Sequence, residues 1–508
     1  MAVQHIVSML FVCFILLYIF FIRPSNKWHY LSISDIETSH FFVVLTAMLA
    51  VVLLCILPMS LSPYWNGTML YRADKQQYDR MGDALLQGRL YIDNNDIDPA
   101  LEAMENPYDA DERKRLDIKY HWDEAYYNHH YYMYFGVVPT IILFIPFKLI
   151  TGQALLSYQA TQFFASLIII GLFYLFYVLC KNFFPKFPFS MYLLLSSVFS
   201  ILSVGYSISA PALYCTAIVS AVCLMLWSII CFLQGAWFEN DDTRSTIYLT
   251  AGAFLGALAF GCRPPVALAN IIIAAVVYQL FKSSHFSVRS KIKKIVCLFL
   301  PYVVVGTLLM LYNYARFDNV FEFGQSYQLT LADQHDYGSF IQRFNVKQVL
   351  ISSFLNFYAK NDFRETFPFI WFNGVFVNFP ILLLSVRIFS NEIALLLKQK
   401  KLYFISVLMF VSTIIITLFD VYWTPFLLER YHLDFYFLLC IDTFIAIAVW
   451  LEVISGNRKK ILLCCITVLA FAVLAVEFLF FCIPYDGSYT FWYPEVLNEI
   501  CRGLRFGL

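Results

Sequence analysis

The sequence predicts an all-α, polytopic transmembrane helix bundle with about twelve crossings and one further juxtamembrane or re-entrant helix. Three observations predict it. Of the 508 residues, 60% are hydrophobic and only 14% are charged, where a soluble domain carries about 25%. Apolar runs long enough to cross a hydrocarbon core of about 30 Å recur from end to end. Aromatic residues reach 19%, with 52 Phe and 34 Tyr, and Tyr and Trp suit an interface where one end of the ring is wet and the other dry. A water-soluble fold could not cover so much apolar surface. Backbone groups in hydrocarbon must be paired within their own segment, so each crossing run is a helix.

Windowed apolarity places the crossings near 6–22, 41–60, 155–180, 189–207, 209–234, 246–262, 265–282, 295–313, 366–386, 402–420, 432–451 and 461–483. No small-residue cleavage site follows Ile6–Ile22, so this run reads as a retained helix. Short basic loops orient the bundle. Lys282, Arg289, Lys291, Lys293 and Lys294 form one cluster. Arg387, Lys398, Lys400 and Lys401 form a second, and Arg458, Lys459 and Lys460 a third. Even numbers of crossings separate them, so all lie on the cytoplasmic side, and Lys181 and Lys186 join them by the same count. The chain then divides into two helices (1–60), an extracytoplasmic acidic loop with juxtamembrane helices (61–150), transmembrane helices (151–313), an outer loop (314–365), C-terminal transmembrane helices (366–483) and an outer tail (484–508).

Residues 133–150 are apolar enough to cross, yet a crossing there would break the order of sides. Pro139 and Pro146 interrupt the run, and proline costs a helix interior about 3 kcal/mol. The segment therefore reads as re-entrant or surface-lying, starting and ending on the outer side.

The formal net charge is zero, so no basic excess points to nucleic acid, and the partner implied by composition is the lipid bilayer. The cysteines sit mostly in apolar runs, and none forms a CxxC pair; they read as small buried hydrophobes. No 20–50-residue repeat is visible.

The first outer loop, 61–132, holds 14 of the 35 acidic residues. It is much longer than an ordinary connection, and its many aromatics argue for order. Asp74-x-x-Gln77 has the form of a capping box. Tyr78, Met81 and Leu85 then share one helix face, and Gly88 terminates the helix. Asp74 thus stands at a helix start near the lipid boundary, as a simple N-cap or as a functional carboxylate; Asp79, Asp83, Asp123 and Glu124 pose the same choice between function and a solvated face. His129 and His130 offer two metal-ligand types, but adjacent side chains point apart. No cofactor is implied, and a divalent metal has only this weak support.

Three arginines lie at the outer ends of apolar runs: Arg263 before two prolines, Arg316 in Tyr312–Phe317, and Arg430 before Tyr431. Charge is costly in a membrane, so such residues need a partner or a purpose. They snorkel to the interface, or they converge as a phosphate site, since arginine binds phosphate bidentately.

Arg72-Ala73-Asp74-x-x-x-Tyr78 resembles the Arg-x-Asp-Glu-x-x-Tyr pattern in the first outer loop of the GT-C glycosyltransferase superfamily. In style it is similar to the lipid A aminoarabinose transferases and protein O-mannosyltransferases. Tyr131–Phe147, with Gly136 and Pro139, looks like the proline-containing helix that follows that loop. Tyr312–Tyr327 and Glu429–Asp434 look like pieces of bacterial relatives. Where the family often has a second acid after the aspartate, this sequence has Lys75. The resemblance implies a GT-C-like bundle in a bacterial cytoplasmic membrane, with an extracytoplasmic active site. It implies inverting sugar transfer from a polyprenyl-phosphate carrier to a hydroxyl of an envelope glycan, lipid or protein. Asp74 would be the base, with Asp79 and Asp123 as further acids. Arg263, Arg316 and Arg430 would bind the lipid phosphate, and Arg72, Tyr78 and Tyr431 the substrate. A polysaccharide polymerase or ligase and a lipid-linked-sugar flippase remain the alternatives.

Overall fold

The structure is a computed structural model and describes residues 30–61, 76–93, 96–211, 213–331, 333, 345–360, 363–423, 429–484 and 488–504. The expected span 6–22 and the candidates Arg72 and Asp74 lie outside the described residues. Among the described residues nine helices are long and apolar enough to cross a membrane, or ten if a bent pair counts as one span. This makes the chain a multi-pass helical membrane protein.

In chain order the principal helices are α1 (Thr38–Met59), α2 (Gln77–Leu86), α3 (Thr140–Thr151), α4 (Ser157–Phe183), α5 (Phe189–Ser209), α6 (Leu213–Phe238), α7 (Asp242–Phe260), α8 (Pro264–Lys282) and α9 (Val288–Phe317). They continue with α10 (Val346–Tyr358), α11 (Asn391–Gln399), α12 (Tyr403–Trp423), α13 (Leu433–Val453), α14 (Gly456–Phe481) and α15 (Pro494–Leu504). Among the described residues the named strands are β1 (Ala125–Tyr127) and β2 (His130–Tyr132), an antiparallel hairpin pairing Ala125 with Tyr132.

Burial sorts the helices. The most apolar windows of α5 and α6 are 89% buried, and those of α1 and α9 only 17%. The former are the centre, and the latter present Phe42, Val303 and Leu308 outward, as a lipid-facing surface must. Small residues explain the close centre: Ser196, Ser200, Ser203, Gly205 and Ser207 of α5 are buried or nearly so, and small side chains let membrane helices approach.

Two expected elements differ. The run 366–386 is not one straight helix. Residues 363–374 are non-helical, Val375–Asn378 makes one turn, and a 3₁₀ segment Pro380–Phe389 meets α11 at a 70° bend. Pro380 opens the 3₁₀ segment, where its missing N–H costs nothing. Gly374 allows a backbone crossing; a Cβ there would sit 2.4 Å from the Ala359 nitrogen. The second difference is the start of α2. An Asp74 cap would begin the helix at Lys75, but it begins at Gln77, with Gln76 in the cap position. The Gln76 side chain serves another helix: its Oε1 accepts from the Ser157 backbone N–H at 3.1 Å, at the start of α4. Tyr78 and Met81 do fall on the buried face, and Gly88 follows the helix at φ +73°.

The segment 133–150 yields α3, whose twelve residues rise about 18 Å, too short for a core of about 30 Å. Its Leu149 and Ile150 are exposed.

At one end of the bundle the described parts of the loop after α1 and of the chain after α9 pack into a single layer. Tyr78, Met81, Tyr131, Met133, Phe135 and Leu329 share a core that includes Leu213 and Ala217 of α6. Residues 327–329 line up against the hairpin strand: Tyr126 N–H donates to the Tyr327 carbonyl at 2.8 Å, and Leu329 N–H to that of Glu124 at 3.0 Å. The two loops expected as separate segments, 61–150 and 314–365, thus meet in one layer.

Candidate functional site

Among the described residues the layer also meets the bundle through a backbone hydrogen bond. Val138 N–H donates to the Gly261 carbonyl at 3.0 Å. A Cβ on Gly136 would lie 2.1 Å from that carbonyl oxygen, so only glycine permits the approach. Gly261 ends α7, and Arg263 follows two residues later.

Arg263 is held from α13. Its Nε donates to both Asp434 carboxylate oxygens, at 2.7 and 2.9 Å, and its Nη2 to Oδ2 at 2.7 Å. Asp420 of α12 stands 4.0 Å from Nη2. One edge of the guanidinium is therefore fixed by a charge-assisted fork. The guanidinium also lies 4.7 Å from the centre of the Tyr431 ring. Arg430 lies 5.4 Å from that same ring and 4.2 Å from the ring of Tyr214 on α6. Among the described residues Arg430 has no hydrogen-bond or ion-pair partner. Two of the three predicted arginines thus share one aromatic ring, and one of them has its donors uncommitted.

The layer brings Tyr134 and Tyr78 within the influence of these arginines. Burial pushes the Tyr134 phenol well up; Tyr431 and Asp123 push the same way, while Arg263 and Arg430 pull against them. That phenol is therefore within electrostatic reach of both arginines and of the acid. Burial likewise raises Tyr78, with Cys262 adding and Arg263 opposing, and its hydroxyl is buried without a hydrogen-bond partner among the described residues. Asp123 is 7% exposed and has φ +60°, an αL conformation more tolerable for Asp than for most residues. Its Oδ1 accepts from Gln328 Nε2 at 3.1 Å.

Other predicted residues have different surroundings. Arg316 is 5% exposed and stacks on Tyr312 at 4.0 Å and Phe317 at 4.5 Å. Its Nη1 donates to the Met133 carbonyl and its Nη2 to Asn313 Oδ1, both at 2.9 Å. It ties α9 to the layer. Asp79 pairs with Lys148 of α3 at 3.1 Å, and the same ammonium holds Asp83 at 2.6 Å. Burial raises the Asp79 carboxyl above its ordinary value, and Lys148 only partly offsets this. His129 and His130 diverge: His130 Nδ1 meets Asp93 at 3.2 Å, and His129 lies 3.9 Å from Glu102. Among the described residues no three His, Cys, Asp or Glu side chains are arranged to hold a metal ion.

Glu124, which sequence left open between function and a solvated face, is fully buried against Arg80 at 2.5 Å, a partner that local reasoning passed over. His121 bridges Glu124 at 2.9 Å and Asp96 at 3.1 Å and stacks on Tyr131. Asp420 carried a signal, an acid at the end of an apolar run, which in a membrane needs a partner. Tyr134 and Tyr214 carried none.

Chemically, the arrangement presents guanidinium donors beside phenols, with one guanidinium held by the Asp434 carboxylate, at the edge of an apolar bundle. Such a set can hold a phosphate-sized anion with an apolar tail beside it. No family model matches the chain, no curated protein matches it, and no solved structure matches it. What composition and fold define is the class: a polytopic helical membrane protein.

Proposed function

We propose that the protein is a membrane glycosyltransferase. It moves a sugar from a polyprenyl-phosphate carrier to an acceptor hydroxyl on the extracytoplasmic face. The observation that carries this reading is the shared Tyr431 ring, with Arg263 and the uncommitted Arg430 on it. Arg430 takes the lipid phosphate, and Arg263, fixed by Asp434, offers its remaining Nη1. A carboxylate removes the acceptor proton as the acceptor oxygen attacks the anomeric carbon. The bond from that carbon to the phosphate oxygen breaks, and its electron pair stays on the phosphate, which the guanidiniums stabilise. A single displacement inverts the anomeric centre. Asp74 is the base that the sequence pattern favours, and Asp123, a buried layer carboxylate that acts on the Tyr134 phenol, is the next candidate. Asp79, paired with Lys148, is the weaker candidate.

Disrupting the gene and profiling lipid-linked sugars by mass spectrometry tests the reading. One species should accumulate and be cleared by the wild-type gene. Asp74→Asn should express normally, because the cap position of the following helix belongs to Gln76, and should slow clearance by about 10²–10⁴. An unchanged profile in the disrupted strain overturns the reading. Full clearance by Asp74→Asn moves the base role to Asp123.

A further inference from the structure

Helix α9 divides its own cations into two kinds. Its thirty residues are about 45 Å long, more than a hydrocarbon core of about 30 Å requires. Arg316 fastens one end to the layer. The opposite end, residues 288–295, therefore stands at headgroup level, and it carries Arg289, Lys291, Lys293 and Lys294.

Two of these four are committed within the chain. Lys294 is fully buried; its Nζ pairs with the Asp242 carboxylate at 3.2 Å and donates to the Asp242 carbonyl at 2.7 Å and the Thr246 hydroxyl at 3.0 Å. Lys291 Nζ donates to the Phe281 carbonyl at 3.1 Å, which draws the end of α8 against the start of α9. Arg289 and Lys293 are exposed, and among the described residues neither has a hydrogen bond or an ion pair. Lys293 acts on Asp242 only at a distance, and Lys294 already offsets that charge. Lys282, at the end of α8, is exposed as well, with its ammonium 5.8 Å from the centre of the Tyr278 ring.

The free pair begins a longer strip. Arg289, Lys293, Val296, Leu300 and Val303 recur at steps of four and three, so they share one helix face, and all five are exposed. A strip that is cationic at headgroup level and aliphatic below it matches a phosphate carried on acyl chains. A free phosphate would gain nothing from the aliphatic part. A second copy of the chain fits poorly. Copies in one bilayer point the same way, so a two-fold contact through this face would set Arg289 and Lys293 against their own equivalents, and like charges repel.

We propose that this end of α9, together with Lys282, binds the headgroup of an anionic phospholipid whose acyl chains lie along Val296, Leu300 and Val303. Each free cation beside an anionic headgroup strengthens binding about 5-fold.

The test needs no sugar donor and stands apart from the glycosyltransferase reading. Full-length protein in a neutral detergent is titrated with phosphatidylglycerol, or with phosphatidylcholine of the same acyl chains, and bound lipid is counted by native mass spectrometry. Phosphatidylglycerol should bind about 10-fold more tightly or better. Arg289→Gln combined with Lys293→Gln should remove most of that preference. Arg458→Gln combined with Lys460→Gln, which removes the same charge from exposed positions at the start of α14, should leave it intact. Equal affinity for the two lipids overturns the proposal, as does a preference that survives in the first pair. An equal loss in the second pair overturns it by reducing the effect to diffuse charge. A dimer that Val303→Asn converts to monomer gives the face to a second copy and overturns it too. If the first pair does not fold, Lys293→Gln alone decides.

Discussion

Arg430 and Arg316 have nearly the same aromatic setting and opposite hydrogen-bonding states. Each guanidinium lies between two rings, Tyr214 and Tyr431 for Arg430, Tyr312 and Phe317 for Arg316. Arg316 commits both terminal nitrogens to the chain, whereas Arg430 commits none among the described residues. Ring stacking orients an arginine plane in either case. Whether the residue is a fastener or a binding group is decided by the in-plane donors that stacking leaves untouched. Arg263 is intermediate, with one edge held by Asp434 and one nitrogen left over.

The largest effect should come from unfastening Arg263. Asp434→Ala removes the fork from a largely buried cation, leaving it Asp420 at 4.0 Å, and should cost about 3–5 kcal/mol, read as a drop in thermal stability and in yield. If stability is unchanged, the fork to Asp434 is not what holds the α7–α8 turn.

Next comes Arg430→Ala. Loss of a charge-assisted phosphate contact should lower sugar transfer by about 10–100-fold, with little change in Tm, because no bond within the chain is lost. A folding defect instead would put Arg430 in the same category as Arg316.

Arg316→Met is the converse. It keeps apolar bulk between the two rings, removes both bonds, and should destabilise by about 1–3 kcal/mol while the remaining folded protein transfers sugar normally. An activity loss larger than the loss of folded protein would give Arg316 a share in the site.

The smallest expected effect is a pH dependence within the layer. Burial lowers the affinity of His121 for a proton, but the bond to Glu124 and the Glu124 and Asp96 charges outweigh it, so its pKa is raised overall. A raised folded-state value means that protonated His121 stabilises the layer fully below about 6.5. That stabilisation fades as pH climbs through the folded-state value. Protection of the layer from limited proteolysis should therefore weaken on going from pH 6 to pH 9, by up to about 1 kcal/mol. His121→Gln should flatten the trend, and an unchanged slope in that variant would assign it to another group.

Much of the bundle was legible because hydropathy reads burial, and burial in a bilayer compels helix. The run 366–386 shows where this stops. Its composition is apolar enough, yet Asn373, Gly374, Asn378 and Pro380 break the helix, and Gly374 is needed for a backbone crossing whose other partner is Ala359. The site was legible in its arginines, since a cation at the end of an apolar run announces itself. It was not legible in its pairing. Glu124 sits in a local run that reads as solvated, and it is buried by Arg80, 44 residues earlier. Asp434 meets Arg263 across 171 residues. Such partners are chosen by the fold, and nothing in a local window distinguishes Arg316, whose distant partner is a backbone carbonyl, from Arg263, whose partner is a carboxylate.

The contact between Gly136 and Gly261 has a consequence for how the molecule can be divided. Residues 76–138 resemble a detachable head, with their own hairpin and their own aromatic core. Yet cutting them away would strip the Gly261 carbonyl of its donor and uncover Leu213 and Ala217 at the tip of a central helix. Head and body are not modules that a designer could exchange between scaffolds. They make one piece, joined where two chains pass so closely that neither can carry a side chain.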